Sequence, residues 1–250
     1  MEKSKAYRAC NIVALALTLF LTACAGDLTL APSPAPSAGI PPSDALLADN
    51  FLRADTSPGI LSSAPTGQAY TLYVPSDGAA LNLISTVGQI AGDAFVAPEG
   101  QTVYATVITS QPIARIGMRF EFASGPGSDV ANSVAMAISK DDLYVANMAV
   151  HFYVSVDGWN LQTRNNAGAF VAVCGGTFSP PLKTDGTKYD AEVRVISSSA
   201  IVSIAGYSET CSDPNAAAAI GPYIFWENAY LRSTTTTVSA ISATWAGFAN

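Results

Sequence analysis

The chain has 250 residues, a formal net charge of −7 at pH 7, 49% hydrophobic residues and only 12% charged residues. This hydrophobic content excludes a disordered chain, and the negative charge argues against binding to nucleic acid or anionic headgroups, which would repel it. Ala, Ser, Thr, Gly and Val make up much of the sequence and long charged helical runs are absent. This composition is typical of a β-sandwich.

The N-terminal segment has the pattern of an export signal. Lys3, Lys5 and Arg8 precede an apolar run from Ile12 to Leu21, which is shorter than the roughly 20 residues of a membrane-spanning helix. The run ends in Leu21-Thr22-Ala23-Cys24. These four residues form a lipobox, and the segment resembles the signal of bacterial lipoproteins.

The resemblance to bacterial lipoproteins implies a lipid anchor at Cys24. In that family the cysteine thiol receives a diacylglyceryl group, the signal (here residues 1–23) is cut before it, and the new amino terminus is usually acylated. Because two or more acyl chains give stable attachment, the implied partner is a lipid bilayer. Ala25 stands where an Asp favours inner-membrane retention, so the expected location is the outer membrane if the cell is Gram-negative. An incidental cysteine in an ordinary secretory signal is the alternative.

Residues 24–47 are predicted to form a tether, and residues 48–250 a single domain. The tether is rich in Pro, Ala and Ser, with Pro32, Pro34 and Pro36 in close succession, which favours an extended and poorly packed stalk. The remaining length suits one all-β domain with a substantial core.

The domain shows short runs of alternating apolar and polar residues, separated by Gly, Pro, Asp, Asn or Ser, as expected for antiparallel strands. Residues 216–219 are the one candidate helical turn, with Asp213 as its cap. So many short strands bury their apolar faces only against one another, which predicts a sandwich or a barrel, and we expect a two-sheet antiparallel sandwich. The predicted strands are Ala69–Val74, Ala80–Ser85, Ala94–Ala97, Thr102–Thr109, Arg115–Ala123, Ser133–Ser139, Ala149–Val156, Asn160–Arg164, Ala169–Thr177, Tyr189–Ile196, Ile201–Tyr207, Tyr223–Ala229 and Val238–Trp245.

The cysteines predict one disulfide. Cys10 leaves with the signal and Cys24 takes lipid, so Cys174 and Cys211 remain as a pair in an oxidising compartment. Metal binding is the alternative, but two lone cysteines make a poor zinc site, and the sole histidine of the chain is His151.

The opening of the domain, Asp49-Asn50-Phe51-Leu52-Arg53-Ala54-Asp55, resembles the D-x-F-x-R-A-D start of jelly-roll domains in the concanavalin A-like lectin/glucanase superfamily. Later runs occur in the order that such domains use: His151-Phe152-Tyr153-Val154, then Asp157-Gly158-Trp159, then Asp185-Gly186-Thr187 and Trp226-Glu227. The resemblance implies a concanavalin A-like jelly roll, and fold alone does not imply an activity.

The glucanase branch of this superfamily carries paired carboxylates on one strand in an E-x-D-x-x-E pattern, which is absent here. The nearest run is Asp190-Ala191-Glu192, followed by Arg194. Pairing with Arg194 would lower the pKa of a carboxyl group and spoil it as a general acid. No Gly-x-Ser-x-Gly nucleophile motif accompanies His151 either. We therefore expect no catalytic residues, with a divergent glycoside hydrolase as an alternative.

Two predicted strands have polar residues on one side and apolar residues on the other. Arg115, Arg119 and Glu121 point away from the core in one, and His151 and Tyr153 do so in the other. If the two strands belong to one sheet, these side chains line a polar concave face that binds sugars. The alternative is a solvated sheet face with cross-strand ion pairs, which is the norm for antiparallel sheets.

Trp159, beside the Asp157-Gly158 turn, is a further candidate for stacking on a sugar ring, or else a lid over the core. No cofactor is expected beyond calcium, for which Asp141-Asp142 or Asp49 and Asn50 are candidate oxygen ligands. Turn chemistry explains both pairs as well. The predicted function is carbohydrate binding without catalysis, and the alternative is a structural or adhesive role with an envelope protein as partner.

Overall fold

The structure is a computed structural model that describes residues 41–74, 83–98, 101–123, 132–140, 149–164, 170–230 and 238–248. The predicted signal, Cys24 and the acidic pair Asp141-Asp142 lie outside these residues. Within the described ranges, none of the helical segments has the length and apolar character needed to cross a membrane.

The fold is all-β, as predicted, and its named strands pair antiparallel. Each strand carries side chains alternately on its two sides. The strands are β1 Ala45–Asp49, β2 Thr71–Val74, β3 Leu83–Ile84, β4 Gln89–Ile90, β5 Phe95–Val96, β6 Gln101–Ala123, β7 Asn132–Ser139, β8 Ala149–Ser155, β9 Gly158–Arg164, β10 Phe170–Thr177, β11 Asp185–Ile196, β12 Ser199–Ile204, β13 Tyr207–Ser212, β14 Gly221–Tyr230 and β15 Val238–Phe248.

Strand β6 belongs to two sheets. Its residues 101–108 pair with β14 and its residues 113–123 pair with β11 and β15. The front sheet therefore has the order β10-β9-β8-β7-β14-β6-β2-β3, and the back sheet has the order β13-β12-β11-β6-β15, with β1 and β5 beside β15. The crossover contains Pro112, which has no N–H to offer to a ladder. The sequence predicted two strands here, and the structure joins them into one.

The core lies between the two sheets and follows the predicted alternation. In the back half of β6, Ile116, Met118, Phe120 and Phe122 are at most 1% exposed. In β8 the buried inward residues are Val150, Phe152 and Val154, while His151 and Tyr153 are half-buried on the opposite side.

Two hydrogen bonds cross the core from the front sheet to the back sheet. The indole Nε1 of Trp226 donates to the carbonyl oxygen of Gly117 at 3.3 Å, and the Nδ2 of Asn228 donates to the carbonyl oxygen of Phe95 at 3.0 Å. Because buried polar groups need partners, these bonds fix the position of β14 over the back sheet.

The disulfide predicted between Cys174 and Cys211 is present, and it links the outermost strand of each sheet. Cys174 lies in β10 and Cys211 in β13, with 5.9 Å between their Cα atoms. Beside it, the hydroxyl of Thr163 donates to the carboxylate of Asp213. The open side of the sandwich is thus closed by one covalent and one polar link.

The opening motif of the domain has a structural role. The carboxylate of Asp49 accepts hydrogen bonds from the backbone N of Phe51 at 2.7 Å, from Nη1 of Arg53 at 2.7 Å and from the hydroxyl of Tyr70 at 2.9 Å. These bonds hold Phe51 at a positive φ of 55° with its side chain fully buried, 6.4 Å from the ring of Phe95. Burial, and then the charge of Asp49, raise the pKa of Tyr70.

Two local predictions need correction. Strand β1 begins at Ala45, inside the predicted tether, because it pairs with β15. The helical turn is a 3₁₀ turn at Ala217–Ala219 without a side-chain cap. Asp213 instead accepts a hydrogen bond from the backbone N of Asn215 at 2.8 Å, since a local Asx turn competes with helix capping.

We predict that Cys174→Ala combined with Cys211→Ala lowers the free energy of unfolding by up to about 4 kcal/mol, the chain-entropy value for a loop of this size. The sequence separation of the two cysteines is 37 residues. Guanidinium denaturation of the oxidised wild type and the double variant measures the difference. The wild type in reductant should match the variant, and equal stability of all three samples would contradict the prediction.

Candidate functional site

The predicted site residues do not share one face. Arg115, Arg119 and Glu121 lie on the outer face of the back sheet, whereas His151 and Tyr153 lie on the outer face of the front sheet. The reason is the crossover of β6, which places its second half in the sheet that β8 does not join. The prediction of one polar face formed by both strands is therefore wrong.

On the back sheet, the two arginines form ion pairs across strands. Arg115 contacts both oxygens of Glu192 at 2.9 and 3.2 Å, and Arg119 contacts both oxygens of Asp190 at 2.8 Å. These carboxylates thus pair with β6 and not with Arg194 as predicted. The alternative interpretation of this face, a solvated sheet surface with ion pairs, agrees with the geometry.

A tryptophan lies beneath one of these arginines. The ring of Trp245 lies across Gly117, where a Cβ atom would be 2.2 Å from the indole, and the Arg115 guanidinium lies 5.0 Å from the ring centroid. Only glycine leaves this space. Trp245 therefore covers the outer face of the back sheet and is itself 8% exposed.

Trp159 is not exposed for stacking on a ligand. It is 3% exposed, faces the core and packs against Phe152 and Tyr207, whose ring centroids lie 5.8 and 5.9 Å away. The side chain belongs to the inward set of β9, because residues 159, 161 and 163 share one side of the strand. The indole is a lid over the core.

The candidate calcium ligands at the start of the domain are already engaged. Asp49 is paired with Arg53, and the Oδ1 of Asn50 accepts the backbone N of Leu52 at 3.0 Å. Among the described residues, one acidic and cysteine cluster has the spacing of metal ligands: Cys174, Glu209 and Cys211. Its two sulfur atoms are consumed by the disulfide, so the zinc alternative does not hold there.

A different site is formed on the outer face of the front sheet, where strand pairing aligns polar and aromatic residues in rows. One row contains Tyr73, Tyr104, Glu227, Ala135, Tyr153 and Asn160 in register. The next contains Thr71, Thr106, Phe225, Ala137, His151 and Gln162. We call these two rows the front-face site.

Glu227 and His151 meet at the centre of the front-face site. The Oε2 of Glu227 lies 3.5 Å from the Nε2 of His151, and the two side chains are only 12% and 14% exposed. Strand β7 separates their strands, and its outward residues there are Ala135 and Ala137. Because alanine side chains are short, the longer side chains of β14 and β8 reach each other above them.

Aromatic rings surround this pair. The ring of His151 has Tyr153 at 6.2 Å and Phe170 at 5.7 Å between centroids. Burial, followed by the charge of Glu227, raises the pKa of Tyr104 far above its usual range and also raises the pKa of Tyr153. Both phenols therefore stay protonated, and able to donate hydrogen bonds, well above neutral pH.

Two polar atoms of the front-face site retain hydrogen-bonding capacity. The Oγ1 of Thr106 and the Oδ1 of Asn160 are buried and have no hydrogen-bond partner among the described residues. Buried polar atoms normally have a partner, and an orphaned one is costly unless a bound molecule satisfies it. These two atoms therefore keep hydrogen-bonding capacity that the described residues do not use.

The sequence interpretation identified His151 and Tyr153 in this site but missed Glu227, Tyr104 and Asn160. A local signal for Glu227 exists, because it occupies an outward position of a predicted strand whose neighbour, Trp226, faces the core. The strand register places Tyr104 and Tyr153 on either side of Glu227. No local sequence pattern predicts this register.

No protein-family model and no curated protein matches the chain. Solved structures match it at the level of fold. The catalytic domain of an endo-1,3-beta-glucanase (laminarinase) from Thermotoga petrophila RKU-1 matches with 9% identity, a TM-score of 0.53 and coverage of 81% of this chain and 96% of that chain.

A second matching structure comes from a study of endo-acting O-glycanases, which prominent members of the human gut microbiota express to initiate mucin breakdown. It matches with 8% identity, a TM-score of 0.56 and coverage of 82% of this chain and all of that chain. The Ca2+- and mannose-bound exoplasmic/lumenal domain of VIP36 matches with 10% identity, a TM-score of 0.47 and coverage of 72% and 84%. The two matches with a TM-score above 0.5 show an all-β jelly-roll fold, as predicted.

We predict that Glu227→Gln lowers the pKa of Tyr104 and of Tyr153, because it removes a negative charge that opposes phenolate formation. An ultraviolet titration of phenolate absorbance measures the change: part of the signal should move to lower pH. Glu192→Gln, the matched change on the back sheet, should leave the curve unaltered. An unaltered curve for Glu227→Gln would mean that the carboxylate does not lie near these phenols.

Proposed function

We propose that the protein binds carbohydrate on the front-face site and does not hydrolyse it. The observation that carries the proposal is the partly covered Glu227–His151 pair with phenols on either side and orphaned polar atoms nearby. Because burying ionisable groups costs free energy, an ordinary solvated sheet face is not expected to cover a carboxylate and an imidazole together. A site that binds a polar ligand is expected to hold such groups.

The chemistry of the site matches that of a sugar. Saccharides present hydroxyl groups at their edges and apolar C–H faces, and they are held by aromatic rings together with a few fixed polar groups. Tyr153 and Phe170 supply rings, and Phe170 is 45% exposed. Glu227, Asn160 and Thr106 supply hydrogen-bonding oxygens.

The carboxylate count of the face supports binding without hydrolysis. Glycosidases use two carboxyl groups, about 5–5.5 Å apart for retention and about 6.5–9.5 Å apart for inversion. On the front face, Glu227 is the single carboxylate within the described ranges. Asp190 and Glu192 lie on the other sheet and are paired with arginines.

A second candidate function, adhesive contact with an envelope protein, is favoured by strand β10. This strand is the last of the front sheet, and Phe170 and Val171 are 45% and 47% exposed there. It contains no charged residue, and charges are what usually keeps edge strands from pairing with other chains.

We predict that the full chain binds a member of a polysaccharide panel saturably, and that Tyr153→Ala weakens this binding by up to about tenfold, since stacking on an aromatic ring contributes up to about 1.5 kcal/mol. Isothermal titration calorimetry, with and without Ca2+, measures affinity. Glu192→Gln on the back sheet is the control and should bind like the wild type.

Three other results would contradict this proposal. Release of reducing sugar by the wild type that disappears in Glu227→Gln would indicate a hydrolase. Equal binding by wild type and Tyr153→Ala would place the ligand elsewhere. Binding to no polysaccharide, together with capture of an envelope protein that Val171→Lys abolishes, would favour the adhesive role.

We also propose that the protein is an exported lipoprotein anchored through Cys24, in the outer membrane if the cell is Gram-negative. The support is the basic segment, the apolar run and the lipobox at residues 21–24. A tether of Pro, Ala and Ser then separates the anchor from the domain, so that the front-face site is held outside the bilayer.

We predict that Cys24→Ser moves the protein from the membrane fraction to the soluble fraction and abolishes incorporation of a labelled fatty acid. The reason is that the thiol at this position is the proposed acyl acceptor. Cys10→Ser is the matched control and should remain labelled and membrane-bound. A labelled Cys24→Ser protein would contradict the anchor.

A further inference from the structure

The centre of the front-face site is rich in hydrogen-bond acceptors. The Oδ1 of Asn160 is an acceptor without a partner in the described part of the chain, and Glu227 in its ionised form only accepts. The Oγ1 of Thr106 also lacks a partner there and can accept as well as donate. A molecule that satisfies these atoms must bring donors, such as hydroxyl groups.

Among the described residues, no lysine or arginine lies within ion-pair distance of Glu227, whose one partner of that kind is the imidazole of His151. Arg164, on the same face, lies three strands away from Glu227 and one row beyond Gln162. Its guanidinium lies 5.4 Å from the ring centroid of Phe170. A ligand over Glu227 therefore meets a carboxylate that no permanent cation of the described residues neutralises by direct contact.

The charge of the rest of the chain also disfavours an anionic ligand at the front-face site. The chain carries a net charge of −7, and four of its basic residues are located on the outer face of the back sheet, away from this site: Arg115, Arg119, Lys188 and Arg194. Tyr104 and Tyr153 remain neutral because of their raised pKa values. An anionic ligand therefore meets a repulsive field.

We infer that the front-face site selects neutral, hydroxyl-donating saccharides and rejects acidic ones such as uronic acid polymers. The inference rests on the proposed carbohydrate-binding function. A carboxylate on the ligand adds a charge of the same sign as Glu227. Bringing two like charges together costs binding free energy, which is one way in which a polar site discriminates between ligands.

The test uses pairs of polysaccharides that differ in one group. Neutral glucan, mannan and galactan are compared with the same polymers after oxidation of the C6 hydroxymethyl group to a carboxylate. Affinity for the full chain is measured at about pH 8, above the range in which histidine side chains ordinarily gain a proton. For any neutral polymer that binds, the oxidised form should bind at least about tenfold more weakly.

Glu227→Gln separates charge repulsion from a poor fit. The variant keeps the size of the side chain and removes the charge, so it should reduce the difference between neutral and oxidised polymer to less than about threefold. Glu192→Gln should keep the full difference. For the wild type alone, added salt should weaken the discrimination while leaving neutral binding unchanged, a readout that does not require the variant to fold.

The outcomes are distinct. Equal or tighter binding of the oxidised polymer by the wild type overturns the inference and leaves the carbohydrate-binding function in place. Discrimination that Glu227→Gln retains in full also overturns it, because the carboxylate is then not its source. Binding to neither form of any polymer overturns the carbohydrate-binding proposal itself.

Discussion

The whole arrangement depends on one strand that belongs to both sheets. Residues 101–108 of β6 lie in the middle of the front sheet and residues 113–123 lie in the middle of the back sheet. The two halves of β6 pair with different strands. The position of the crossover at Pro112 therefore determines which residues lie on the same face of each sheet. Apolar burial then holds the two halves together, since the alternate residues of each half face the same core.

The crossover joins the two sheets through an interior strand, and the side formed by their outermost strands is closed by different chemistry. There the outermost strands of the two sheets are linked through Cys174 and Cys211, and the ring of Trp159 packs against Tyr207. Strands β8 and β9 carry four of the twelve residues of the front-face site and lie near this side of the sandwich. The disulfide therefore constrains the part of the front sheet that supports His151 and Asn160.

Much of the fold follows from local patterns, and much of the site does not. Alternation along β8 predicted that Phe152 is buried and His151 is not, because side chains alternate strictly along a strand. Pairing is a long-range property, so sequence reasoning placed Arg115 beside His151 when the two lie on different sheets. Trp159 stood next to a turn, where an aromatic side chain covers the core as readily as it meets a ligand.

The front-face site also shows why small residues matter to a polar site on a sheet. Side chains two strands apart normally do not meet, because the strand between them fills the space. Ala135 and Ala137 leave that space open, and the carboxylate of Glu227 reaches the imidazole of His151 across them. Both alanines are themselves fully buried. Two small residues in β7 thus allow a carboxylate and an imidazole on separate strands to pair above the sheet.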